Sequence, residues 1–285
     1  MVAHAPESEP AAPGRPDLET GSGRVVRFTQ RRGASALLGC AGVLCVLAAM
    51  QLTSETNLIP TTEIPSVTSM FGALGSALGQ SSLWAGIGQT LGQAVTGLLI
   101  TMVVAIPLGL LIGSSDLLWR SVRTIVEFMR PVPAAAILPI IVLLYGTQQV
   151  SAVVVVVFGT FFQMLIQSIY GRREVEAVAL DTARSFKLGP FTRFFRLILP
   201  SAAPFLATGV RLCGGGSLLL AILCGIILNT PGLGDLVVKA QTAGTYNLMY
   251  ALIIVSGLLG LALMAALGLL ERRVLRWHPS QRGEV

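Results

Sequence analysis

Charged residues are scarce in this chain of 285 residues. Asp, Glu, Lys and Arg together make up 12% of it, whereas hydrophobic residues make up 53%, and the mean hydropathy is +0.74. Water-soluble globular domains carry about twice that share of charge. The composition therefore excludes an ordinary soluble domain and indicates an integral membrane protein.

Residues that commonly carry catalysis or bind metals are also few. Neither histidine has a paired partner, the cysteines lie in apolar stretches without metal-site or disulfide spacing, and neither lysine follows a glycine as the phosphate-binding pattern GxxxxGK[ST] requires. These residues are His4, His278, Cys40, Cys45, Cys213, Cys224, Lys187 and Lys239. The sequence thus predicts no catalytic site, no metal site and no site for ATP hydrolysis.

Long apolar stretches dominate instead. A hydrocarbon core about 30 Å thick requires roughly 20 residues of helix. The stretches that meet this length are Ala34–Leu52, Gly86–Gly113, Ile125–Tyr145, Val150–Tyr170, Leu197–Leu228 and Leu248–Leu270. The third and fifth contain prolines or glycines that free backbone groups, so we expect protein or a water-filled path to cover them. We predict an all-α membrane protein with six transmembrane helices.

The basic residues indicate how these helices are oriented. All but two of the 20 lysines and arginines fall in the N-terminal segment, in the second-to-third and fourth-to-fifth connections, or at the C-terminus. Because Lys and Arg stay on the cytoplasmic side, both termini are predicted to be cytoplasmic. The net charge of +6 is explained by this topology and by anionic lipid headgroups, so no nucleic-acid partner is expected.

The composition also divides the chain. Residues 1–33 contain several prolines among Glu, Ser, Gly and Ala, which predicts a disordered cytoplasmic tail. Residues 34–277 are predicted to form the transmembrane domain, and residues 278–285 a second cytoplasmic tail. A cleaved signal also fits the first basic and apolar residues, but the length of that stretch favours a retained helix. In the outer segment that follows, Ser66 is expected to cap a short surface helix.

The connection between the fourth and fifth stretches is polar and reads AVALDTARSFKLGPFTRFFRLILP from Ala177 to Pro200. We predict helices over Glu174–Phe186 and Pro190–Leu197, because proline suits the first turn of a helix and Gly189 suits the turn before it. Aromatic anchors with a charged rim are typical of an interface. An interfacial loop with aromatics at headgroup depth has the same composition, so both interpretations stay open. The residues concerned are Phe186, Phe191, Phe194, Phe195, Arg184, Lys187, Arg193 and Arg196.

This loop resembles the cytoplasmic signature of ATP-binding-cassette (ABC) importer permeases, written EAA, three residues, G, nine residues, I, any residue and LP. Aligned on the final proline, the spacing is kept without a gap, and the conserved positions of the signature fall in turn at Asp181, Thr182, Ala183, Lys187, Leu197, Leu199 and Pro200. The stretches RPVPAAAILPIIVLLYG, GTFFQMLIQSIYG and NTPGLGDLV are similar to the nitrate, sulfonate and taurine branch of the same type I, binding-protein-dependent family. The likeness runs from about Pro60 to Trp277.

The resemblance implies a mechanism and a set of partners. Two permease subunits, identical or related, would form the pathway in a bacterial cytoplasmic membrane. A cytoplasmic ATPase dimer, which holds ATP and magnesium, would dock on the loop and drive the helices between inward-facing and outward-facing states. An extracytoplasmic solute-binding protein would deliver a small polar or anionic solute, such as a sulfonate, taurine, nitrate or a vitamin precursor. The implied ATPase-coupling residues are Asp181, Thr182, Ala183, Phe186, Lys187, Leu188, Gly189, Phe191, Leu197, Leu199 and Pro200.

Some positions depart from the family pattern. Asp181 is one methylene shorter than the family's glutamate, Thr182 adds a hydroxyl, and Lys187 replaces a glycine where a turn with unusual dihedrals is expected. We expect Gly189 to take over that turn, which leaves Lys187 free to contact the ATPase or else weakens or specialises the coupling. Gly225 stands where many relatives carry a glutamate, so no role of that glutamate is assigned to this chain.

Polar side chains inside the predicted spans are candidates for lining a substrate path. Thr160, Gln163 and Gln167 share one face of the fourth span, and Arg211 and Ser217 lie on the fifth. Hydrogen bonds between packed helices account for the same residues without any substrate. Arg211 could contact an anionic substrate, pair with backbone carbonyls freed by a nearby proline, or reach a lipid phosphate.

Two other functional classes stay open from the sequence. A secondary transporter or channel would work without ATP, although coupling to an ion gradient usually needs ionisable residues near the midplane, each costing roughly 2.5 to 3.5 kcal/mol to insert. Arg211 alone lies near such a depth. A regulatory membrane subunit would follow if the altered loop no longer transmits movement of the ATPase.

Overall fold

The structure is a computed structural model in which the chain divides into two compact units, Met1–Ile59 and Pro60–Val285. It describes residues 65–275 without a break and, in the first unit, Leu38, Gly39, Ala41, Gly42, Cys45, Ala48, Ala49, Gln51 and Leu52. These nine residues are helical, in agreement with the predicted first span. The rest of that span and both predicted tails lie outside the described residues.

Every regular element between residues 65 and 275 is helical, as predicted. The α-helices are α1 (Val67–Leu78), α2 (Ser81–Gly113), α3 (Asp116–Met129), α4 (Leu138–Tyr145), α5 (Gln149–Arg173), α6 (Ala177–Ser185), α7 (Pro190–Arg193), α8 (Leu199–Leu228), α9 (Leu233–Thr242) and α10 (Tyr246–Val274). A 3₁₀ helix (Ala134–Ile137) precedes α4, and a π-helical segment (Phe194–Ile198) joins α7 to α8.

Four helical runs in the described part of the chain are long and apolar enough to cross a bilayer. They are α2, α5, the run Pro190–Thr242 that contains α8, and α10. These runs confirm the predicted spans Gly86–Gly113, Val150–Tyr170, Leu197–Leu228 and Leu248–Leu270.

The predicted span Ile125–Tyr145 is wrong as a single helix. α3 ends at Met129, and the helical pair Asp116–Met129 and Ala134–Tyr145 is bent by 82°. Pro131 and Pro133 cause the break, because proline lacks an N–H and disfavours helical geometry in the residue before it. The pair counts as a fifth span only if both halves are taken together, so the total of six stays a prediction.

The short helix α1 begins where the sequence predicts. The Ser66 side chain accepts a hydrogen bond from the Ser69 N–H at 3.3 Å and so satisfies one free donor of the first turn. Met70 and Ala77 are buried against neighbouring helices. α1 packs against α10, where the Ser69 hydroxyl donates to Asn247 Oδ1 at 3.4 Å.

Helix α5 is the centre of this unit. It packs against both α2 and α8, which also contact each other. Glycines allow the close approach, since a methyl group at Gly113 would lie 2.8 Å from the Ile169 carbonyl oxygen and one at Gly209 2.9 Å from the Met164 sulfur. Small residues at helix crossings are a common means of packing transmembrane helices. The arrangement places the loop after α5 and the start of α8 side by side.

Helix α9 was not predicted, since residues 233–242 were assigned to an outer loop. α8 ends at Leu228, and the chain then turns through Asn229, whose φ of 53° is left-handed, and Gly232, whose φ is 155°. Asparagine and glycine are the residues that tolerate such angles best. The turn directs α9 back against α8, α2 and α10.

Candidate functional site

The loop between α5 and α8 forms a helix, a tight turn and a second short helix. The predicted first helix starts three residues later than expected, at Ala177, because α5 continues to Arg173 and the Glu174 N–H still donates to the Tyr170 carbonyl at 3.0 Å. The second helix begins at Pro190, as predicted. The structure therefore provides the helical pair that the loop sequence indicates.

The turn between the two helices is closed by Lys187, not by Gly189. Lys187 has a left-handed φ of 52°, whereas Gly189 is extended, with φ −61° and ψ 158°. The Lys187 N–H donates to the Arg184 carbonyl at 2.8 Å and the Leu188 N–H donates to the Ala183 carbonyl at 3.0 Å. This is the Schellman motif, in which glycine usually holds the left-handed position. The expectation that Gly189 takes over the turn is wrong, because the position is set by where α6 ends.

Apolar side chains around this turn face away from the described protein. Phe186, Phe191 and Val178 are 76%, 80% and 75% exposed, and Leu188 is also exposed. We call Val178, Phe186, Lys187, Leu188 and Phe191 the turn surface. Phe194 behaves differently and packs against the buried cluster between α2, α5 and α8.

The remaining coupling candidates of α6 are tied to their own helix. Asp181 and Arg184 form an exposed ion pair at 3.0 Å, and the Thr182 hydroxyl donates to the Val178 carbonyl at 2.8 Å. Ala183 is buried. The exposed carboxylate of Asp181 and the exposed Thr182 thus lie on the same short helix as part of the turn surface.

The chain is helical without interruption from the turn into α8. Leu197, Leu199 and Pro200 lie half-buried along this stretch. Pro200 has no N–H to donate. The backbone hydrogen bond just before it is of the π type, in which the Leu199 N–H donates to the Phe194 carbonyl. The end of the turn and the membrane-spanning helix α8 are therefore joined by continuous helix.

A polar cavity of about 190 Å³ lies at the ends of α2 and α5 that adjoin this loop. Its lining consists of Gly113, Ser114, Asp116, Arg172 and Arg173, with Arg173 paired to Asp116 at 2.9 Å. Arg172 lies close enough to Arg184 of α6 for their positive charges to repel. The surroundings of the loop are thus predominantly positive, as topology predicts for a cytoplasmic surface.

Two of the candidate path residues are buried and have hydrogen-bond partners within the protein, and of the two only Thr160 joins two helices. The Thr160 hydroxyl lies 2.8 Å from the Thr101 hydroxyl and donates to the Val156 carbonyl, and the Ser217 hydroxyl donates to the Gly214 carbonyl at 2.8 Å. Both Thr160 and Ser217 are fully buried.

The other three path candidates are more accessible. Gln163 and Gln167 are half-buried on α5, where the Gln167 stem packs beside Gly209. Arg211 is turned toward α10 and forms an ion pair with Glu271 at 3.5 Å. The structure thus keeps the two glutamines together on one helix and gives Arg211 a protein partner that sequence reasoning missed.

The contact between α8 and α9 explains why this chain has glycine at position 225. A methyl group at Gly225 would lie 2.8 Å from the Gly234 Cα and 2.9 Å from the Asp235 nitrogen. A glutamate therefore does not fit this packing. The stretch NTPGLGDLV contains the signal for the contact, since it supplies Gly234.

Buried polar residues of α2 hold the start of α9. The Thr90 hydroxyl accepts from the Leu233 N–H at 2.9 Å, and the Gln93 amide donates to the Pro231 carbonyl at 2.7 Å. Within the described residues, no three His, Cys, Asp or Glu side chains come together to hold a metal ion.

Comparison with known proteins identifies the family. Residues 105–276, more than half of the chain, match the family described as "Binding-protein-dependent transport system inner membrane component". The chain is 29% identical to the putative aliphatic sulfonates transport permease protein SsuC of Escherichia coli K12 over 82% of this chain and 89% of that protein. It is 26% identical to the taurine transport system permease protein TauC of the same organism over 91% and 94%, and 28% identical to the nitrate import permease protein NrtB of Leptolyngbya laminosa over 70% and 72%.

A solved structure supports the fold. An inward-facing structure of the MetNI methionine ABC transporter has a TM-score of 0.60 at 19% identity, covering 67% of this chain and 95% of that chain. Family membership supports an ATP-driven importer and not an ATP-independent transporter or channel. The chain belongs to the binding-protein-dependent inner membrane component family and is a multi-pass permease subunit of an ABC importer.

Proposed function

We propose that a separate cytoplasmic ATPase dimer drives this permease by docking on the turn surface and on the adjoining Asp181. The observation that carries the proposal is the exposed apolar turn joined without a helix break to α8. Large apolar side chains at a polar, positively charged protein surface are costly in water and are typical of residues that a partner buries. ATP and magnesium belong to that partner, because this sequence lacks the phosphate-binding lysine motif.

The proposal includes the rest of the assembly. Both termini are cytoplasmic, a second permease subunit of the same or a related chain completes the pathway, and an extracytoplasmic solute-binding protein delivers the cargo. The basic residues on one set of connections support the orientation. The ATPase closes on ATP, and α8 transmits the movement to the transmembrane helices.

The cargo class follows from the relatives and from the polar residues of the spans. The similar permeases are named for aliphatic sulfonates, taurine and nitrate, which are all small and polar or anionic. Gln163 and Gln167 are neutral hydrogen-bonding groups on α5, suited to a hydrated or polar solute. We propose a small polar or anionic solute of the sulfonate, taurine, nitrate or vitamin-precursor class.

The docking site is tested by binding of the ATPase to variants in lipid nanodiscs. Phe191→Ser and Asp181→Lys should each weaken ATPase association by roughly tenfold or more, as expected when an interface anchor is lost or a charge reversed. Leu261→Ser is the matched control, because Leu261 is an exposed apolar residue of α10, within a span. Normal ATPase binding by both turn variants would contradict the docking site.

The cargo is tested by uptake into proteoliposomes that contain the complete complex. Radiolabelled taurine, an alkanesulfonate, nitrate and a thiamine precursor are offered with the solute-binding protein and ATP. Uptake of at least one of them should require both the binding protein and ATP. Gln163→Leu and Gln167→Leu should raise the KM if these residues line the path, whereas a change in thermal stability alone would assign them to packing.

A further inference from the structure

Lys187 holds a backbone conformation that favours glycine. Its φ of 52° is left-handed. This conformation is higher in free energy for a residue with a Cβ than for glycine. The two hydrogen bonds of the Schellman motif are both formed at this turn, so the conformation is required by the way α6 ends. Lysine at this position therefore costs stability, and the reason for it lies outside the turn geometry.

The lysine side chain makes no ion pair with the described residues that would offset this loss of stability. It is exposed, and none of the ion pairs formed by the described residues includes it. The nearest acidic residue along α6, Asp181, is paired with Arg184. The ammonium group projects into solvent from the tip of the turn.

The surroundings of Lys187 define what it can bind. Phe186 and Leu188 flank it in sequence, and Phe191 lies in the first turn of the next helix. A partner that covers these apolar groups therefore also removes water from the ammonium. A buried ammonium requires a counter-charge. Arg184 and the two arginines after Phe191 make the region positive, which further favours an acidic partner surface.

We propose that the Lys187 ammonium binds a carboxylate of the ATPase and that this ion pair selects this importer's own ATPase over those of related importers. The inference rests on the proposed docking of the ATPase at the turn surface. An ion pair at the edge of an apolar contact contributes to specificity, because an ATPase without the carboxylate leaves the ammonium buried and unpaired.

The test compares thermal stability with ATPase affinity in the same variants. Lys187→Gly should raise the melting temperature of the purified permease, because strain is relieved, and should weaken binding of its own ATPase by about tenfold. Lys187→Arg keeps both the strain and the charge, so its affinity should match the unmodified protein. The affinity of Lys187→Gly should also depend less on salt concentration.

Asn229→Gly is the matched control for strain. Asn229 is the other non-glycine residue with positive φ among the described residues, at the opposite end of α8, and its φ is 53°. Its replacement should leave ATPase affinity unchanged. Selectivity is measured with the ATPase of a related importer, for which Lys187→Gly should bind as well as the unmodified chain or better.

The outcomes separate this inference from the function on which it rests. If Lys187→Gly binds its own ATPase as tightly as the unmodified chain while Phe191→Ser binds weakly, the ion pair is overturned and the docking site stands. Equal losses in Lys187→Gly and Lys187→Arg would also overturn it. If neither Lys187→Gly nor Phe191→Ser affects binding, the docking site itself is overturned.

Discussion

Single residues set how closely the helices of this permease approach. Gly225 and Gly234 face each other where α8 crosses α9. A methyl group on Gly225 would lie only 2.8 Å from the Gly234 Cα. Position 225 therefore limits sterically how closely α8 and α9 approach.

Gly225→Ala should destabilise the permease by about 1 to 3 kcal/mol, because the added methyl group overlaps backbone atoms of α9. Gly92→Ala on α2 is the control, since no atom lies within 4 Å of a methyl group there and alanine is the better helix former. Thermal unfolding in detergent measures both. Equal stability of the two variants would contradict the close contact.

The pair Thr101 and Thr160 tests whether a buried hydroxyl serves packing or transport. The two oxygens lie 2.8 Å apart, so Thr160→Val alone leaves a buried hydroxyl with one partner fewer and should cost about 1 to 3 kcal/mol. Replacing both residues by valine should recover most of that loss. Thermal unfolding of the single and double variants gives the coupling, and a raised transport KM in the stable double variant would instead place Thr160 on the path.

Among the elements, α8 is connected to α10 by the ion pair of Arg211 and Glu271. Their closest charged atoms are 3.5 Å apart, and Glu271 is largely covered whereas Arg211 is half exposed. The sequence offered three partners for Arg211, and Glu271 was not among them, because a residue 60 positions away is placed by tertiary packing alone. The pair is a contact between the helix that follows the turn surface and the last helix within residues 65–275.

If Arg211 is a structural partner of Glu271, the variants Arg211→Gln and Glu271→Gln should lower thermal stability by similar amounts, and the double variant should be no worse than either single one. If Arg211 binds substrate, Arg211→Gln should raise the transport KM and Glu271→Gln should not. We expect the first result. Stability and uptake measured on all three variants decide between them.

The elements that could be predicted are those fixed by local sequence. Ser66 predicts the start of α1 because it caps the helix, and Pro190 predicts the start of α7. Both signals act within one helical turn. The long apolar helices follow from length and composition. α9 could not be predicted, because its position depends on the contact of Gly225 with Gly234 and on hydrogen bonds with Thr90 and Gln93 of α2.

The loop around the turn surface also could be predicted only in part from the sequence. The phenylalanines of the loop were predicted as anchors, but Phe194 packs inward against the buried cluster between α2, α5 and α8. Gly189 was expected to hold the turn, but Lys187 holds it, because the last hydrogen-bonded residue of α6 sets the position. Helix propensities do not predict the end of a helix to within one residue.

At the scale of the whole molecule, α5 organises the described unit and the continuous helix from Pro190 to Leu228 links the turn surface to it. α8 packs against α2, α5, α9 and α10, so its movement is shared by most of the described helices. In the proposed mechanism, an ATPase that binds the turn surface would displace the unit through this continuous helix. This continuity is the central claim of the mechanism.

The most direct test inserts two glycines after Ile198, which leaves the turn surface and the sequence of α8 intact but makes their junction flexible. Transport per ATP hydrolysed is measured in proteoliposomes, with the same insertion after Gly244 in the connection before α10 as the control. We predict that the ATPase still binds and hydrolyses ATP while transport per ATP falls by at least tenfold, and that the control insertion retains coupling. Unchanged transport per ATP after the Ile198 insertion would contradict it.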